Sequence, residues 1–214
     1  MNYNIIATGS SGNCILLNGE IALDMGIPFK QVKPYYKGLK MVFISHIHSD
    51  HLRKETIKRL AYERPTLLFC VGEFLVEPLL SLGVKPKNII IVDDKEKIIN
   101  SKKIYLKVKA EALVHDVPNY AFKITYNDKK VFYATDTAEI KHITARNYDL
   151  YLIEGNYTLD DINERIARKK ENNEYIHEFR TIKTHLSVEK ASEWLLENMS
   201  DNSEFEFIHQ HKER

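Results

Sequence analysis

Short apolar runs alternate with turn-forming residues along the first half of the chain. Each run has four to seven residues and is rich in the aliphatic and β-branched side chains that favour strands. The runs are YNIIA, CILL, IALDM, MVFIS, TLLFCV and NIIIVDD. Between them lie GSSGN, NG and the segment GIPFKQVKPYYKG, which is compatible with a short helix. This half is therefore predicted to consist mainly of strands joined by turns.

Helical spacing of apolar residues marks a second set of segments. LRKETIKRLAYE is followed by Pro65, and GEFLVEPLLSLG ends at Gly83, so each pattern ends with a residue typical of a helix terminus. SVEKASEWLLENM begins at Ser187, a favoured N-cap residue. Residues 159–179 predict a long charged helix or a pair of helices, and we interpret the charged residues of the segment 159–180 as a solvated helix face.

The second half returns to strands, namely IYLKVKAEALV, YAFKITYN, KVFYATD, DLYLIEGN and FEFIH. Asn127 and Asp128 separate two of them and predict a hairpin turn. Helices and strands alternate, several strands are adjacent, and no linker divides the chain. We therefore predict an α/β fold with mixed sheets, formed by one domain over residues 1–214.

Composition excludes several classes of protein. The 31 Lys and Arg residues nearly balance the 30 Asp and Glu residues, so no overall basic field attracts nucleic acid or an anionic membrane. No apolar run approaches the roughly 20 residues needed to span a bilayer, and no signal-peptide pattern is visible, so we expect a cytoplasmic protein. Cys14 and Cys70 lie in apolar runs and are expected to be buried thiols; a disulfide or thiolate ligand is the alternative.

The stretch SHIHSDH follows the apolar run MVFI and concentrates groups that bind metals. The four groups are His46, His48, Asp50 and His51. Imidazole and carboxylate together suit a divalent ion, with Zn²⁺ first and Mn²⁺ or iron next. Because alternate residues of an extended chain point to the same side, His46 and His48 can bind one ion. Asp50 and His51 lie further along, where they can face a second ion.

These residues match the HxHxDH signature of the metallo-β-lactamase superfamily, and GSSGNC and LDMG resemble the first hairpins of one of its branches. The resemblance implies an αββα sandwich in which two mixed sheets are flanked by helices and two divalent ions lie at one edge. It also implies that His115, after one strand, and Asp136, after another, are ligands, with Asp136 bridging the ions. The first ion would be held by His46, His48 and His115.

The family pattern expects one more histidine ligand late in the chain. His209 directly follows the strand FEFI, as His46 follows MVFI, and we assign it to the second ion with Asp50 and His51. His185 and His211 remain the alternatives, and His211 is expected at the rim of the site.

Further roles follow from a resemblance to ribonuclease Z. THLS resembles a late segment that opens a helix near the substrate phosphate, so His185 is expected to contact substrate and to protonate the leaving oxygen. Glu154 occupies the acidic position of a second family segment and is expected at the substrate, although Ile153 replaces the histidine found there. Ser11, in the GSSGN loop, is either a phosphate contact or part of a tight turn. Asp50 is expected to orient the attacking water as well.

The resemblance implies a metal-dependent phosphodiesterase. Compactness and GSSGNC are similar to the phage anti-Pycsar enzymes, which implies 3′,5′-cyclic mononucleotides such as cyclic CMP and cyclic UMP as substrates. It also implies a homodimer in the cytoplasm, that of the host if the gene is phage-borne. Two alternatives remain open. One is a DNA or RNA nuclease, served by the basic residues 165–170 and Lys183. The other is a module that binds a nucleotide without cleaving it.

Overall fold

Two six-stranded mixed sheets form the centre of the molecule in the computed structural model, which describes residues 1–210. The first sheet contains, in spatial and chain order, β1 (Tyr3–Ala7), β2 (Cys14–Leu17), β3 (Ile21–Leu23), β4 (Met41–Ile44), β5 (Leu68–Val71) and β6 (Ile89–Ile91). Strands β1 to β3 are antiparallel, and β3 to β6 are parallel.

The second sheet repeats this arrangement with the remaining strands. They are β7 (Lys97–Asn100), β8 (Tyr105–Ala112), β9 (Tyr120–Tyr126), β10 (Lys129–Ala134), β11 (Leu150–Glu154) and β12 (Glu204–Ile208). Strands β7 to β10 are antiparallel, and β10 to β12 are parallel. Strands β8, β10, β11 and β12 therefore run in one direction, and their carboxyl ends meet at one edge.

Helices cover the outer face of each sheet. They are α1 (Phe29–Val32), α2 (Lys54–Glu63), α3 (Val76–Ser81), α4 (Leu159–Glu171), α5 (Glu178–Thr184) and α6 (Val188–Asn198), with 3₁₀ turns at Glu73–Leu75 and Pro86–Asn88. None of these helices is long and apolar enough to cross a membrane within the described residues.

Side-chain alternation along the strands builds the layers. In β4, Phe43 points between the sheets and packs edge-on against Phe122 of β9, with ring centroids 5.1 Å apart. Its neighbours Val42 and Ile44 point outward into the cluster formed with α2 and α3. On the other side, Trp194 of α6 stacks on the outward face of the second sheet. The chain is therefore an αββα sandwich with two mixed sheets, as expected.

Local signals located most of the elements. Asn127 and Asp128 both have positive φ and form the β9–β10 hairpin turn, and the Ser187 side chain accepts a hydrogen bond from the Lys190 amide as an N-cap. Residues 159–179 contain α4 and the start of α5, which agrees with the predicted pair of helices. Two details differ: residues 72–83 form a 3₁₀ turn and the short α3 rather than one helix, and the edge strand β7 was not predicted.

Both cysteines are free and buried, as expected. Burial raises the pKa of each thiol, and neither Cys14 nor Cys70 belongs to a group of candidate metal ligands within the described residues.

Candidate metal centre

The histidines and aspartates predicted as ligands meet at one edge of the sandwich. The HxHxDH stretch follows β4, and the other predicted ligands follow β8, β10 and β12. Within this edge, the structure forms two groups that share Asp136, and in each group the candidate ligand atoms lie within 4.8 Å of one another. The first group is His46, His48, His115 and Asp136, and the second is Asp50, His51, Asp136 and His209.

Asp136 directs one carboxylate oxygen to each group. Its Oδ2 lies 3.7 Å from Nε2 of His46 and 3.8 Å from Nε2 of His115. Its Oδ1 lies 3.4 Å from Nε2 of His51 and 3.5 Å from Nδ1 of His209. The backbone of Asp136 has a φ of 55°, a left-handed conformation that aspartate tolerates. This arrangement is compatible with a carboxylate that bridges two ions.

His46 provides a direct test of whether a metal fits. Its side chain is completely buried, its Nδ1 contacts the Ser45 hydroxyl at 3.0 Å, and its Nε2 has no hydrogen-bond partner within the described residues. Burial lowers the pKa of His46 to about 2, so the imidazole is neutral. Because the Ser45 hydroxyl donates its proton in a hydrogen bond to Asp24, it accepts a hydrogen bond from Nδ1 of His46, and the free lone pair of the ring lies on Nε2. A buried, unpaired nitrogen is costly unless something binds it, and a cation satisfies it. The first group therefore fits a divalent metal.

The second group has the opposite electrostatic character. Burial alone would lower the pKa of His209, but the charges of Asp136, Asp50 and Glu154 raise it to about 10. His51 behaves in the same way, since Asp136 and Asp24 outweigh its burial and raise its pKa. Two buried imidazoles held among carboxylates attract positive charge, which protons or a divalent ion can supply.

Asp24 fixes the orientation of His51 and was not predicted as part of the site. Oδ2 of this fully buried carboxylate lies 2.6 Å from Nδ1 of His51 and accepts hydrogen bonds from Ser45 Oγ and Tyr133 OH. Its Oδ1 accepts a hydrogen bond from the backbone amide of Ser45. Nε2 of His51 is therefore turned toward Asp136. The only sequence signal for this role was the LDMG motif that contains Asp24.

The GSSGN loop braces the HxHxDH loop. Nδ2 of the buried Asn13 donates to the Asp50 carbonyl at 3.1 Å and lies 3.0 Å from Nε2 of His51. Gly26 passes so close to the Asp50 carbonyl that an added Cβ would lie 1.6 Å from it, so only glycine fits there. Ser10 lines the cavity described below, whereas the expected contact Ser11 is exposed and is not among the described lining residues. The tight-turn reading of this loop therefore has the stronger support.

Glu154 is fully buried beneath the ligands and does not line the cavity, contrary to the expectation that it contacts substrate. Its Oε1 lies 2.7 Å from Nδ1 of His185 and 3.2 Å from Nδ1 of His209. Its Oε2 accepts hydrogen bonds from the backbone amides of Thr137 and Leu186. Glu154 thus orients the two late histidines, whose rings stack with centroids 5.2 Å apart. Glu154, His185, Asp136 and His209 also form a third group of possible ligands.

A cavity of about 300 Å³ opens above the two groups and is lined by several of the expected ligands together with His185. Its other wall comes from α5 and the residue before it, where His177, Arg180, Thr181 and Thr184 face the cavity. The solvated-face interpretation of residues 159–180 does not hold throughout, because Lys169 and Glu178 form an ion pair with little exposure. The expectation for His211 falls outside residues 1–210 and is not addressed by the structure.

The fold class that this architecture and its donor-rich edge define is the metallo-β-lactamase fold. A sequence model of the family described as "Beta-lactamase superfamily domain" matches residues 22–209, and the chain belongs to that family. A search of curated proteins found no matching relative.

Solved structures with the same fold cover nearly the whole chain. The metallo-beta-lactamase fold protein YhfI from Bacillus subtilis is 16% identical with a TM-score of 0.69, covering 97% of this chain and 85% of YhfI. The short form of human tRNase Z is 13% identical with a TM-score of 0.65 and coverages of 98% and 93%. Zn²⁺-bound PqqB from Methylobacterium extorquens is 13% identical with a TM-score of 0.66 and coverages of 98% and 89%. These identities establish a shared fold.

Proposed function

We propose that this chain is a binuclear metal-dependent phosphodiesterase that hydrolyses a small nucleotide phosphodiester. The observation that carries the proposal is the sharing of Asp136, one oxygen to each donor group, at the floor of a cavity. His46, His48 and His115 would hold one ion, Asp50, His51 and His209 the other, and Asp136 would bridge them. Two divalent ions, Zn²⁺ or Mn²⁺, supply an activated water and stabilise negative charge on the phosphoryl oxygens when bound.

The chain's own residues position the reaction. Asp50 lines the cavity, and its Oδ2 lies 3.5 Å from Nε2 of His51 and from Nε2 of His209, a position from which it would orient the attacking water. Burial alone would lower the pKa of His185, but its hydrogen bond to Glu154 and the charge of that carboxylate raise it. With Nδ1 held by Glu154, His185 has Nε2 free to protonate the leaving oxygen.

The size of the cavity supports a small substrate. About 300 Å³ is at the lower end of the range for small-molecule sites, which suits a mononucleotide better than a long strand. We favour 3′,5′-cyclic mononucleotides, cyclic CMP and cyclic UMP first, on the additional ground of the GSSGNC resemblance. From the same resemblance we propose that the protein is a homodimer and lies in the cytoplasm. Sedimentation analysis tests the oligomeric state.

A nuclease is the second candidate, favoured by the fold shared with human tRNase Z. One basic residue assigned to that role is not accessible for it, since Arg165 is buried and paired with Asp161. Lys183 and Lys170 are exposed and are open to a nucleic acid backbone.

One parallel assay separates the candidates. The protein is loaded with Zn²⁺ or Mn²⁺ and incubated with cyclic mononucleotides, single-stranded oligonucleotides and bis(4-nitrophenyl) phosphate. We expect loss of cyclic CMP or cyclic UMP while the oligonucleotides remain intact. Cleavage of oligonucleotides alone would establish the nuclease. Tight binding of a cyclic nucleotide without any product would instead indicate a sequestering module.

A further inference from the structure

One wall of the cavity carries a permanent positive charge that has no role in the proposed reaction. Among the described residues that line the cavity, Arg180 is the single Lys or Arg. The opposite wall carries the carboxylates Asp50 and Asp136, which are committed to the donor groups. An anionic substrate that enters this cavity therefore meets one guanidinium, which is presented from α5 beside the carboxylate of Asp116.

Arg180 is held in place by Asp116. Its Nη2 donates to Oδ2 of Asp116 at 2.8 Å, and Oδ1 of Asp116 lies 3.1 Å from Nε2 of His115 and 3.5 Å from Nε2 of His48. The carboxylate thus links the guanidinium to two members of the first donor group. A guanidinium has five N–H donors, and the one bond to Asp116 leaves the others available to a phosphoryl oxygen.

Helix α5, which carries Arg180, is fixed at both ends. At its start, Nζ of Lys169 lies 2.9 Å from Oε1 and 3.1 Å from Oε2 of the buried Glu178, which joins α5 to α4. At its end, the Thr184 carbonyl lies 3.1 Å from Nδ1 of His115. The guanidinium is therefore presented from a backbone whose position is set relative to a candidate metal ligand. A long side chain positioned in this way loses less conformational freedom when it binds a ligand.

We propose that Arg180 is the residue that binds the phosphoryl group of the substrate and selects anionic diesters over neutral esters, with Asp116 as its positioning residue. The identity of the substrate as a phosphodiester rests on the proposed function, whereas binding of an anion by Arg180 does not depend on it. Arg180 stands 74% exposed at the mouth, where it meets an incoming anion before the donor groups do.

The test uses the metal-loaded protein and three probes. They are bis(4-nitrophenyl) phosphate as an anionic diester, 4-nitrophenyl acetate as a neutral ester, and inorganic phosphate titrated by calorimetry. The variant Arg180→Ala is compared with Lys183→Ala, which removes an exposed cation from the same helix that does not line the cavity. Metal content is measured for every variant, so that loss of metal is distinguished from loss of the subsite.

We expect Arg180→Ala to raise KM for the diester and Kd for phosphate about 10-fold, because one charge-assisted contact is removed. Metal content, kcat and any turnover of the neutral ester should stay close to wild type. Arg180→Lys should recover part of the phosphate affinity, and Lys183→Ala should match wild type.

The outcomes separate the two proposals. Diester hydrolysis with an unchanged KM and phosphate Kd in Arg180→Ala would overturn the subsite and leave the proposed function standing. Arg180-dependent phosphate binding without diester hydrolysis would support the subsite and count against the phosphodiesterase. If wild type neither binds phosphate nor cleaves the diester, both are wrong.

Discussion

Nδ1 of His51 lies 2.6 Å from Oδ2 of Asp24, and neither side chain has any exposed surface. The carboxylate holds the proton on Nδ1 and leaves Nε2 as the atom that faces Asp136. Partners of this kind set the orientation and basicity of a metal ligand without touching the metal. The pair therefore provides the most direct test of the second donor group that does not alter a candidate ligand.

Asp24→Asn should weaken metal binding at the second group about 10- to 100-fold. Asparagine tolerates the φ of 58° at this position, so the backbone conformation is retained. The amide nitrogen cannot accept the hydrogen bonds that Oδ2 accepts from Ser45 and Tyr133, and we also expect a loss of about 1–3 kcal/mol in stability. Competition with a chromophoric chelator measures the affinity. As a control, Tyr133→Phe removes one hydrogen-bond donor to Asp24 without changing His51, and it should leave the metal affinity nearly unchanged. Equal metal affinities of the wild type, Asp24→Asn and Tyr133→Phe would refute the role of Asp24.

Asp136→Asn should reduce metal binding at both groups, whereas His48→Ala should affect mainly the first. The reason is that Asp136 directs one oxygen to each group and His48 belongs to one of them. Metal per chain, measured by mass spectrometry after gel filtration, distinguishes the two patterns, and circular dichroism checks the fold. Both variants should lose turnover. Full activity in His48→Ala would contradict the assignment of the first group.

Two truncations test the late ligand. Removing residues 211–214 should leave metal content and turnover intact, because His209 is retained with its partners Asp136 and Glu154. Removing residues 209–214 should weaken metal binding and abolish turnover. If both truncations are equally damaging, His211 is involved. If neither has an effect, the ligand is His185.

His185→Gln should lower kcat about 100-fold and leave metal content unchanged, as expected for a proton donor. The alkaline limb of the pH–rate profile, which reports the protonated form of His185, should also disappear. Loss of metal from this variant would show instead that the third group, with Glu154, binds an ion.

In the chelated, metal-free protein, the free energy of unfolding should fall as the pH rises from about 6.5 toward about 10. The pKa of His209 is raised to about 10 in the folded state, so the folded chain holds a proton that the unfolded chain has already released in this interval. That contribution is complete below the unfolded pKa and is lost above the folded one. Urea titrations at several pH values measure the trend, and His209→Gln should reduce its slope, while the raised pKa of His51 accounts for a remaining part. An unchanged slope in His209→Gln would assign the trend to other groups.

Local signals in the sequence predicted the strands, the mixed α/β fold and the metal-binding stretch after β4, whereas the αββα sandwich and the ligand roles of His115 and Asp136 came from the resemblance to the metallo-β-lactamase superfamily. Apolar runs marked the strands, and each expected ligand followed a strand, where polar side chains are placed at a sheet edge. His209 was located by the same reasoning as His46.

Other parts of the site depend on contacts between distant segments and were not predictable. Arg180 belongs to a charged helical pattern that is indistinguishable from a solvated face until Asp116 is placed opposite it. Glu154 was recognised as an acidic position, but its burial under His185 and His209 results from the parallel pairing of β11 with β12. Asp24 acquires its role only when β3 and β4 bring it beside Ser45.

Because the donors are distributed over both sheets, metal binding at this site would link the lifetime of the protein to metal supply. His46 follows β4 of one sheet and His209 follows β12 of the other, so an open or partly unfolded chain cannot offer the complete set. An ion that binds only the closed sandwich stabilises it by about 2.7 kcal/mol at a hundred times its Kd. Starvation for the metal should therefore remove activity and also expose the chain to proteases, so that its abundance in the cell would follow the availability of the ion.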